Sequence, residues 1–469
     1  RTYPEGFTSR GVALWKDHSN AREFCAERVI VTTIDGRLIA LDARSGKPCS
    51  TFGYGGTVHV RHAVEKESST RVAAMTSPAT VIDTIVVVGS VGNQRSAGQF
   101  SARGLVQAFD VRNGRMLWSF APLQVGPDTA LRNNAGAGAN VWSVMSADPQ
   151  HKLIFIPTSS ASPNHFGGDG AGSNEHANSL VAVDAGTGKV VWAFQAVHHD
   201  LWDYDVAAQP VLFDLRLRNA TIPAVAIGTK TGMIFVLNRL TGIPLFPIEE
   251  RSVPQTDVPG ERTSLTQPFP QDTALILHDL VLPATAAFGI TAEDREFCTR
   301  VLSQVRNEGI FTPPSVRGSL VWPGFWGGIN WDGLAWDPST QTLITTLKRL
   351  AMVARLQPQS LGHETPPEGN DRIVQGRSGW IVTRGPLLAE SGVPCSPPPW
   401  AELVPVELAP PRVRWKRALG QVPALDGIAG ASGWGSIAFG GAIVTAGGIV
   451  FVAASQDDRI RAFDTATGA

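Results

Sequence analysis

The chain has 469 residues, a formal net charge of −1 and 43% hydrophobic residues. The near-neutral charge gives no electrostatic footprint for nucleic acid or an anionic membrane, and the apolar share excludes a disordered chain. The 48 glycines and 33 prolines exceed the usual share and indicate many turns, and 13 tryptophans stand against only 3 tyrosines.

One short pattern recurs along the chain: a few apolar residues, an Asp or Asn, a turn with Gly, and a strand that often carries Trp. Asp or Asn can hydrogen-bond the turn backbone and Gly accepts the left-handed conformation, so each copy predicts a β-hairpin. A hairpin cannot bury its face alone. Repeated copies therefore indicate radially stacked sheets, a β-propeller, with Trp wedged between neighbouring blades. A β-sandwich or a β-solenoid is the alternative. The copies lie at 38–47, 106–118, 181–192 and 234–242, near Asp337 and Glu407, and at 460–468.

Four cysteines occur, at positions 25, 49, 298 and 395. The absence of a C-x-x-C pair argues against a zinc ribbon or thioredoxin-like site, and the absence of C-x-x-C-H excludes c-type haem attachment. An even count permits two disulfides, and free buried cysteines remain equally open.

The densest polar cluster is 197–205, with two His, three Asp, a Trp and a Tyr. A carboxylate in an aromatic-walled pocket can act as a general base. The alternative interpretation is turn capping within a buried hydrogen-bond network.

Lys230 follows an apolar strand and precedes another. A lysine aimed into a cavity can polarise a carbonyl, but an exposed turn lysine is the simpler expectation from this stretch. Glycines adjoin Trp at 138–142 and 323–331, where they would let backbone approach a flat ligand closely. Tryptophans that only separate blades are the alternative for both.

Two stretches interrupt the repeat, at about 250–316 and 357–400. The first contains a helical pattern between Thr291 and Asn307. Long inserts in a compact domain are usually functional covers or contact surfaces. No domain boundary is apparent, so we expect a single domain over residues 1–469.

The longest glycine-diluted apolar run, 439–454, is shorter than the roughly 20 apolar residues that span a membrane, which predicts two strands and a turn. The chain does not begin with Met, shows no signal peptide and ends inside a repeat. We therefore expect an excerpt of a longer protein, in which any membrane association would use other segments.

Across essentially its whole length the chain resembles the quinoprotein dehydrogenases that use pyrroloquinoline quinone (PQQ). It is most similar to the membrane-bound branch of glucose, quinate/shikimate and polyol dehydrogenases. This resemblance implies an all-β, eight-bladed β-propeller of four-stranded antiparallel blades, with the terminal blades incomplete here. The segments that carry it are 8–12, 35–40, 139–142, 197–205, 228–232, 308–315 and 440–448.

The resemblance also implies residue roles. Asp203 matches the carboxylate that takes the substrate's hydroxyl proton, and Lys230 matches the lysine that polarises the cofactor. Asp457 matches an acidic residue that supports this lysine. The remaining expected PQQ contacts are Arg10, Asn93, Trp142, Asn330 and Trp331, and a Ca²⁺ or Mg²⁺ ion is expected near Asn93, Ser162 and Asp203.

Two positions depart from the family pattern. Gly92 stands where an Asp usually precedes the Asn at position 93, and Gly6 stands where the branch commonly has His. Hard cations want oxygen ligands, so the first departure predicts a weakened metal site. The second predicts altered substrate handling.

Matching cysteines in the family imply the disulfides Cys25–Cys49 and Cys298–Cys395. Disulfides fit an oxidising compartment, so we expect a periplasmic protein.

The leading hypothesis is a PQQ-dependent oxidoreductase that oxidises a hydroxyl of a sugar, polyol or cyclic alcohol by hydride transfer to the quinone. Electrons would pass to a quinone or cytochrome acceptor. The alternative is a catalytically inactive propeller that serves as an interaction scaffold. Such a scaffold shares the hairpins but has no reason to keep Asp203, Lys230 and the Gly–Trp strings together.

Overall fold

The computed structural model describes residues 8–19, 22–60, 74–90, 104–123, 137–168, 174–217, 220–361, 366, 369–376, 378–453 and 455–469. The chain divides into two compact units. The first comprises 1–162 with 174–195, and the second comprises 163–173 with 196–469. That residues 1–469 form a single domain stays a prediction.

The described residues of the first unit form three four-stranded antiparallel sheets and one short strand pair. In each large sheet the strands follow one another in chain order, as stacked hairpins require. The first sheet comprises β1 (Ala13–Lys16), β2 (Glu27–Thr32), β3 (Arg37–Asp42) and β4 (Thr57–His59), and the second β5 (Thr80–Ile82), β6 (Ile85–Gly89), β7 (Val106–Asp110) and β8 (Met116–Phe120). The short pair is β9 (Ala137–Gly138) with β12 (Ala161–Ser162), and the third sheet comprises β10 (Ser146–Asp148), β11 (Leu153–Pro157), β13 (Ser179–Asp184) and β14 (Val190–Gln195).

The second unit contains sheets of two to five antiparallel strands. Chain order gives β15 (Val211–Leu217), β16 (Ala220–Gly228) and β17 (Ile234–Asn238) in one sheet, and β18 (Ile248–Ser252) with β19 (Thr266–Pro270) in a hairpin. The strands of the next two sheets alternate along the chain. One sheet comprises, in spatial order, β20 (Ser319–Val321), β23 (Met352–Pro358), β25 (Trp380–Pro386) and β24 (Asp371–Val374). The other comprises β21 (Leu334–Asp337), β22 (Thr342–Lys348), β26 (Ala401–Leu408) and β27 (Pro411–Val413), and β28 (Arg417–Ala418) also pairs with β26. The last sheet comprises β29 (Ala442–Val444), β30 (Ile449–Val452) and β31 (Arg461–Asp464). Strands β29 and β30 confirm the two strands and turn predicted for 439–454.

The repeated motif forms the predicted hairpin turns. In the third copy, Asp184 Oδ1 accepts a hydrogen bond from the Thr187 backbone nitrogen at 2.8 Å, and Gly188 adopts φ +70°. At the other turns an Asp or Asn oxygen likewise accepts from a backbone nitrogen two or three residues further on, and a positive-φ glycine recurs, which explains why the motif needs both residue types. The corresponding glycines are Gly46, Gly114, Gly242 and Gly468, with φ between +69° and +75°.

The repeat tryptophans occupy equivalent positions. Trp118 lies on β8 opposite Ala108, and Trp192 lies on β14 opposite Ala182, each beside a register shift in the preceding strand. Trp118 Nε1 donates to the backbone oxygen of Ala185 at 2.8 Å, in the hairpin turn of the next sheet. The prediction that this Trp packs between neighbouring sheets is therefore confirmed within the first unit.

The first insert contains the expected helix, α1 (Ala292–Gln304). Thr291 caps it: its side chain accepts from the Asp294 backbone nitrogen, and Asp294 returns a bond to the cap. Short 3₁₀ turns also occur, at Thr273–Leu275, Ala284–Ala286, Pro423–Leu425 and Ala431–Gly433. Within the described ranges, no helix has both the length and the apolar character needed to cross a membrane.

Both predicted disulfides form. Cys25 and Cys49 have Cα atoms 5.8 Å apart, and Cys298 and Cys395 have Cα atoms 5.3 Å apart. The second bond joins helix α1 of the first insert to the second insert. Its sulfurs are fully buried, together with Trp400, in one apolar cluster.

Candidate active site

A buried lysine meets two carboxylates in the second unit. Lys230 lies in the turn between β16 and β17, and its ammonium donates to the backbone oxygen of Asp203 at 2.6 Å and to Asp205 Oδ2 at 3.1 Å. It also lies 3.8 Å from Asp203 Oδ2. Lys230 is only 4% exposed, so the expectation of an exposed turn lysine is wrong. The structure brings Asp203 and Lys230 together, and their chemical roles stay predictions.

Two further side chains hold the carboxylate of Asp203. Asn164 Nδ2 donates to Oδ1 at 2.8 Å, and Arg384 Nη1 donates to Oδ2 at 2.9 Å. Asp203 itself adopts φ +61°, a left-handed conformation that is uncommon outside glycine and that Asp tolerates better than most residues. Backbone conformation and both oxygens are therefore fixed by the surrounding contacts.

The electrostatics keep both central groups charged. Burial alone would raise the pKa of Asp203, but the positive charges of Lys230 and Arg384 outweigh it and lower that pKa to about 2. Burial would likewise lower the pKa of Lys230, but the charges of Asp203 and Asp205 raise it. At neutral pH the site therefore presents a carboxylate anion beside an ammonium cation.

A neutral histidine completes the contacts around Arg384. His165 Nε2 lies 2.7 Å from Arg384 Nη1, which can only donate, so Nε2 must accept. The proton therefore resides on Nδ1, which donates to the Leu201 backbone oxygen at 3.1 Å. Burial and the neighbouring guanidinium lower the pKa of His165 to about 3.

The polar segment 197–205 divides between structural and site contacts. Asp200 accepts from the backbone nitrogens of Trp202 at 2.9 Å and Tyr204 at 2.8 Å, which is turn capping. Trp202 is fully buried, and its ring lies edge-on to Phe311. The capping interpretation therefore holds for Asp200, whereas Asp203 faces the ammonium.

The glycines of the 323–331 string pack against the lysine turn. Gly328 donates its backbone N–H to the Lys230 oxygen at 2.7 Å. A Cβ on Gly327 would lie 2.5 Å from Lys230 Cγ, and a Cβ on Gly328 would lie 2.9 Å from Gly232 Cα. These glycines thus permit a close approach to Lys230 itself, and an approach to a flat ligand stays a prediction.

The same string carries an accessible aromatic face. Trp331 is 46% exposed and stacks on Phe439 with ring centres 4.9 Å apart. Asn330 is buried, donates to the Trp326 backbone oxygen at 2.8 Å and accepts from the Trp331 nitrogen at 2.7 Å. Asn330 therefore shapes the loop that presents Trp331.

Two other predicted cofactor contacts lie together in the first unit. The Arg10 guanidinium carbon is 5.1 Å from the centre of the Trp142 ring, and Nη1 donates to the Thr76 oxygen at 3.2 Å. Ser162 ends β12 and pairs in register with Ala137 of β9. Asn93 lies outside the described residues, as do Gly6 and Gly92.

Asp457 has close partners of its own in the second unit. Its carboxylate accepts from Arg461 Nη1 at 3.0 Å and from Ser455 Oγ at 2.6 Å, and these bonds hold its pKa well below the usual range. The carboxylate bonded to Lys230 belongs instead to Asp205. Support of Lys230 by Asp457 stays a prediction.

The described residues suit a divalent cation only in part. Lys230 and Arg384 place two positive charges beside Asp203 Oδ2, and these charges repel a metal cation at the same oxygen. Across the part of the chain that the structure describes, no group of three or more His, Cys, Asp or Glu side chains is arranged to hold a metal ion. The ion expected near Asn93, Ser162 and Asp203 stays a prediction.

Sequence reasoning missed three residues that bind the site: Asn164, His165 and Arg384. Arg384 lies on β25 of the second insert, 181 positions from Asp203, and nothing in its local sequence marks it. The one available signal was the insert itself, which was expected to cover or contact a functional surface. Asp205 stood inside the polar segment, where it could have been chosen as the partner of Lys230.

A protein-family model described as "PQQ: Glucose/ethanol/alcohol dehydrogenase, beta-propeller domain" matches residues 1–469. Quinate/shikimate dehydrogenase (quinone) of Acinetobacter baylyi is 32% identical over 461 residues, which cover 95% of this chain and 57% of that protein. Quinoprotein glucose dehydrogenase of Gluconobacter oxydans is 34% identical over an alignment of 497 positions, gaps included, which covers 98% of this chain and 61% of that protein. The chain thus spans about three fifths of the length of these relatives.

Among solved structures, the quinohemoprotein alcohol dehydrogenase of Comamonas testosteroni matches with a TM-score of 0.62. The match covers 98% of this chain and 58% of that one at 21% identity, so it bears on the fold alone. The predicted all-β propeller fold is confirmed. The count of eight blades stays a prediction.

Proposed function

The chain belongs to the family of PQQ-dependent glucose/ethanol/alcohol dehydrogenase β-propeller domains, and we propose that it is the hydroxyl-oxidising part of such a dehydrogenase. Its substrate is a sugar, a polyol or a cyclic alcohol, and its electrons pass to a quinone or a cytochrome. The observation that carries this proposal is the ionised carboxylate of Asp203 beside the buried, charged Lys230. An interaction scaffold has no need of such a buried pair.

The described residues fit PQQ, which is flat and anionic. Lys230 supplies positive charge, and Trp331 offers an aromatic face on the loop that contacts Lys230. In the first unit, Arg10 and Trp142 form a second pairing of a cation with an aromatic ring. Asn93 and Asp457 complete the proposed cofactor contacts, with Asn330 positioning Trp331.

When bound, PQQ supplies an electrophilic quinone carbon that accepts hydride. Asp203 takes the proton of the substrate hydroxyl, because an anion within hydrogen-bond reach is the base this step requires. Two hydrogen bonds to aspartates use two of the three ammonium hydrogens of Lys230, so among the described residues one remains for a ligand oxygen. That hydrogen bond would stabilise negative charge on the oxygen as it develops.

We propose Ca²⁺ or Mg²⁺ as a second cofactor, with oxygen ligands from Asn93, Ser162 and Asp203. Gly92 supplies no carboxylate, and two cations already flank Asp203. Weak affinity for the ion follows from both features.

A periplasmic location accompanies this proposal. Two disulfides and no free cysteine occur among the described residues. Such bonds persist in oxidising compartments.

The test is reconstitution of the full-length apoprotein with PQQ and either Ca²⁺ or Mg²⁺. A dye-coupled assay would then compare glucose, quinate, glycerol and sorbitol. PQQ-dependent dye reduction with at least one of them supports the proposal. Failure of the folded protein to bind PQQ, measured by quenching of tryptophan fluorescence, would favour the scaffold.

A further inference from the structure

We propose that Arg384 is a positioning residue that fixes the carboxylate of Asp203 for proton abstraction. The hairpin formed by β24 and β25 brings Arg384 to this carboxylate. The second insert thus contributes directly to the site instead of merely covering it. This inference rests on the proposed role of Asp203 as the base.

The contact is short and buried. Arg384 Nη1 donates to Asp203 Oδ2 at 2.9 Å, and the two side chains are 9% and 13% exposed. Charge-assisted hydrogen bonds of this kind are stronger and more directional than neutral ones. Arg384 therefore sets the direction of Oδ2, while Asn164 sets that of Oδ1 at 2.8 Å.

Arg384 is itself held on two sides. Its Nη1 also donates to His165 Nε2 at 2.7 Å, and its guanidinium carbon lies 4.2 Å from the centre of the Phe325 ring. The His165 backbone nitrogen in turn donates to Gln375 Oε1 at 3.0 Å, at the end of β24. The hairpin therefore holds both the arginine and the histidine that orients it.

This arrangement separates two tasks. Lys230 bonds the backbone oxygen of Asp203, not its carboxylate, which lies 3.8 Å away. Arg384 makes the short contact with the carboxylate. Loss of Arg384 would therefore leave Lys230 in place and let the carboxylate rotate.

The experiment uses the full-length protein reconstituted with PQQ. Arg384→Met should lower kcat about 100-fold, the scale expected when a reacting group is misplaced by about 1 Å. KM and the Kd for PQQ should stay within about threefold of the wild-type values. Arg384→Lys should restore part of kcat, because a lysine can donate one bond to Oδ2. Arg372→Met is the matched control: Arg372 is an exposed arginine on β24 of the same hairpin, and its loss should change nothing.

A cycle with Asp203→Asn tests whether Arg384 acts through Asp203. Single-turnover reduction of bound PQQ by substrate should be as slow in the double variant as in Asp203→Asn alone, because the shared interaction is already lost. Additive effects would overturn the proposal. The proposal would also be overturned if Arg384→Met lowered the melting temperature and weakened PQQ binding as well as lowering kcat, since that pattern marks a purely structural role.

Failure of the proposed function is distinguishable from failure of this inference. A wild-type protein that binds PQQ but reduces it with no alcohol contradicts the proposed function. A wild-type protein that turns over, with Arg384→Met matching it in kcat, contradicts this inference alone.

Discussion

Gly327 packs against Lys230 so closely that a Cβ at position 327 would lie 2.5 Å from Lys230 Cγ. Real Cβ atoms do not approach other atoms at this distance, so any side chain here must displace the lysine or the loop. The requirement for glycine at this position is therefore a requirement for the placement of the ammonium.

Gly327→Ala should weaken PQQ binding on the order of tenfold, because a displaced ammonium loses about 1.4 kcal/mol of interaction. The control is Gly392→Ala, since Gly392 has φ +83° against +79° for Gly327 but no neighbour within 4 Å of the added methyl. Both variants place an alanine in the left-handed conformation, so the difference between their PQQ affinities reports the steric clash with Lys230 alone. Equal PQQ affinities, measured by fluorescence titration, would contradict this account.

A second pair of glycines tests the packing of neighbouring sheets. Gly188 has φ +70°, and a Cβ there would lie 2.6 Å from Trp118, whereas Gly46 has φ +69° with nothing within 4 Å. Gly188→Ala should therefore cost about 1–3 kcal/mol more in the free energy of unfolding than Gly46→Ala, as overpacking usually does. Urea denaturation of both variants measures the difference. If Gly46→Ala is the more damaging, Trp118 does not pack as described.

Acid sensitivity follows from the buried histidine His278. His278 donates from Nδ1 to the Asp279 backbone oxygen at 2.9 Å and packs edge-on against Trp322, and its Nε2 has no hydrogen-bond partner among the described residues. Burial lowers its pKa from 6.5 to about 3. Between these values the unfolded chain binds a proton that the folded chain does not, so stability falls as the pH falls.

His278→Gln should therefore flatten the pH dependence of stability. Below pH 6.5 the free energy of unfolding should fall by about 1.4 kcal/mol per pH unit less in the variant than in the wild type, which is the value for one proton. Unfolding free energies at pH 7.5 and 5.5 give the slope for each protein. Parallel slopes for the variant and the wild type would show that His278 takes up no proton on unfolding.

The hairpin turns of this fold could be predicted from the sequence, whereas most contacts between distant parts of the chain could not. The Asp-to-Gly hairpins and the Trp positions depend on neighbouring residues, so Asp184, Gly188 and Trp118 could be assigned from a short pattern. The family resemblance supplied Asp203, Lys230 and both disulfide pairings. Arg384 could not be assigned, because its role arises from a tertiary contact between an insert and a distant loop.

Metal dependence should be weak and reversible. With Gly92 in place of an acid and two cations beside Asp203, activity should require millimolar Ca²⁺ or Mg²⁺. Gly92→Asp should lower the concentration for half-maximal activity about tenfold, by adding a carboxylate ligand. EDTA titration followed by readdition of the ion measures this, and micromolar activation of the wild type would contradict it.

The most direct test of the central claim is PQQ-dependent turnover in the variants Lys230→Ala and Asp203→Asn. After reconstitution, Lys230→Ala should abolish turnover, because the ammonium that would stabilise negative charge on the quinone oxygen is lost. Asp203→Asn should cut turnover by a factor on the order of 100 to 10,000 while PQQ binding is preserved. Full activity in reconstituted Lys230→Ala would contradict the mechanism, whatever the behaviour of the other variants.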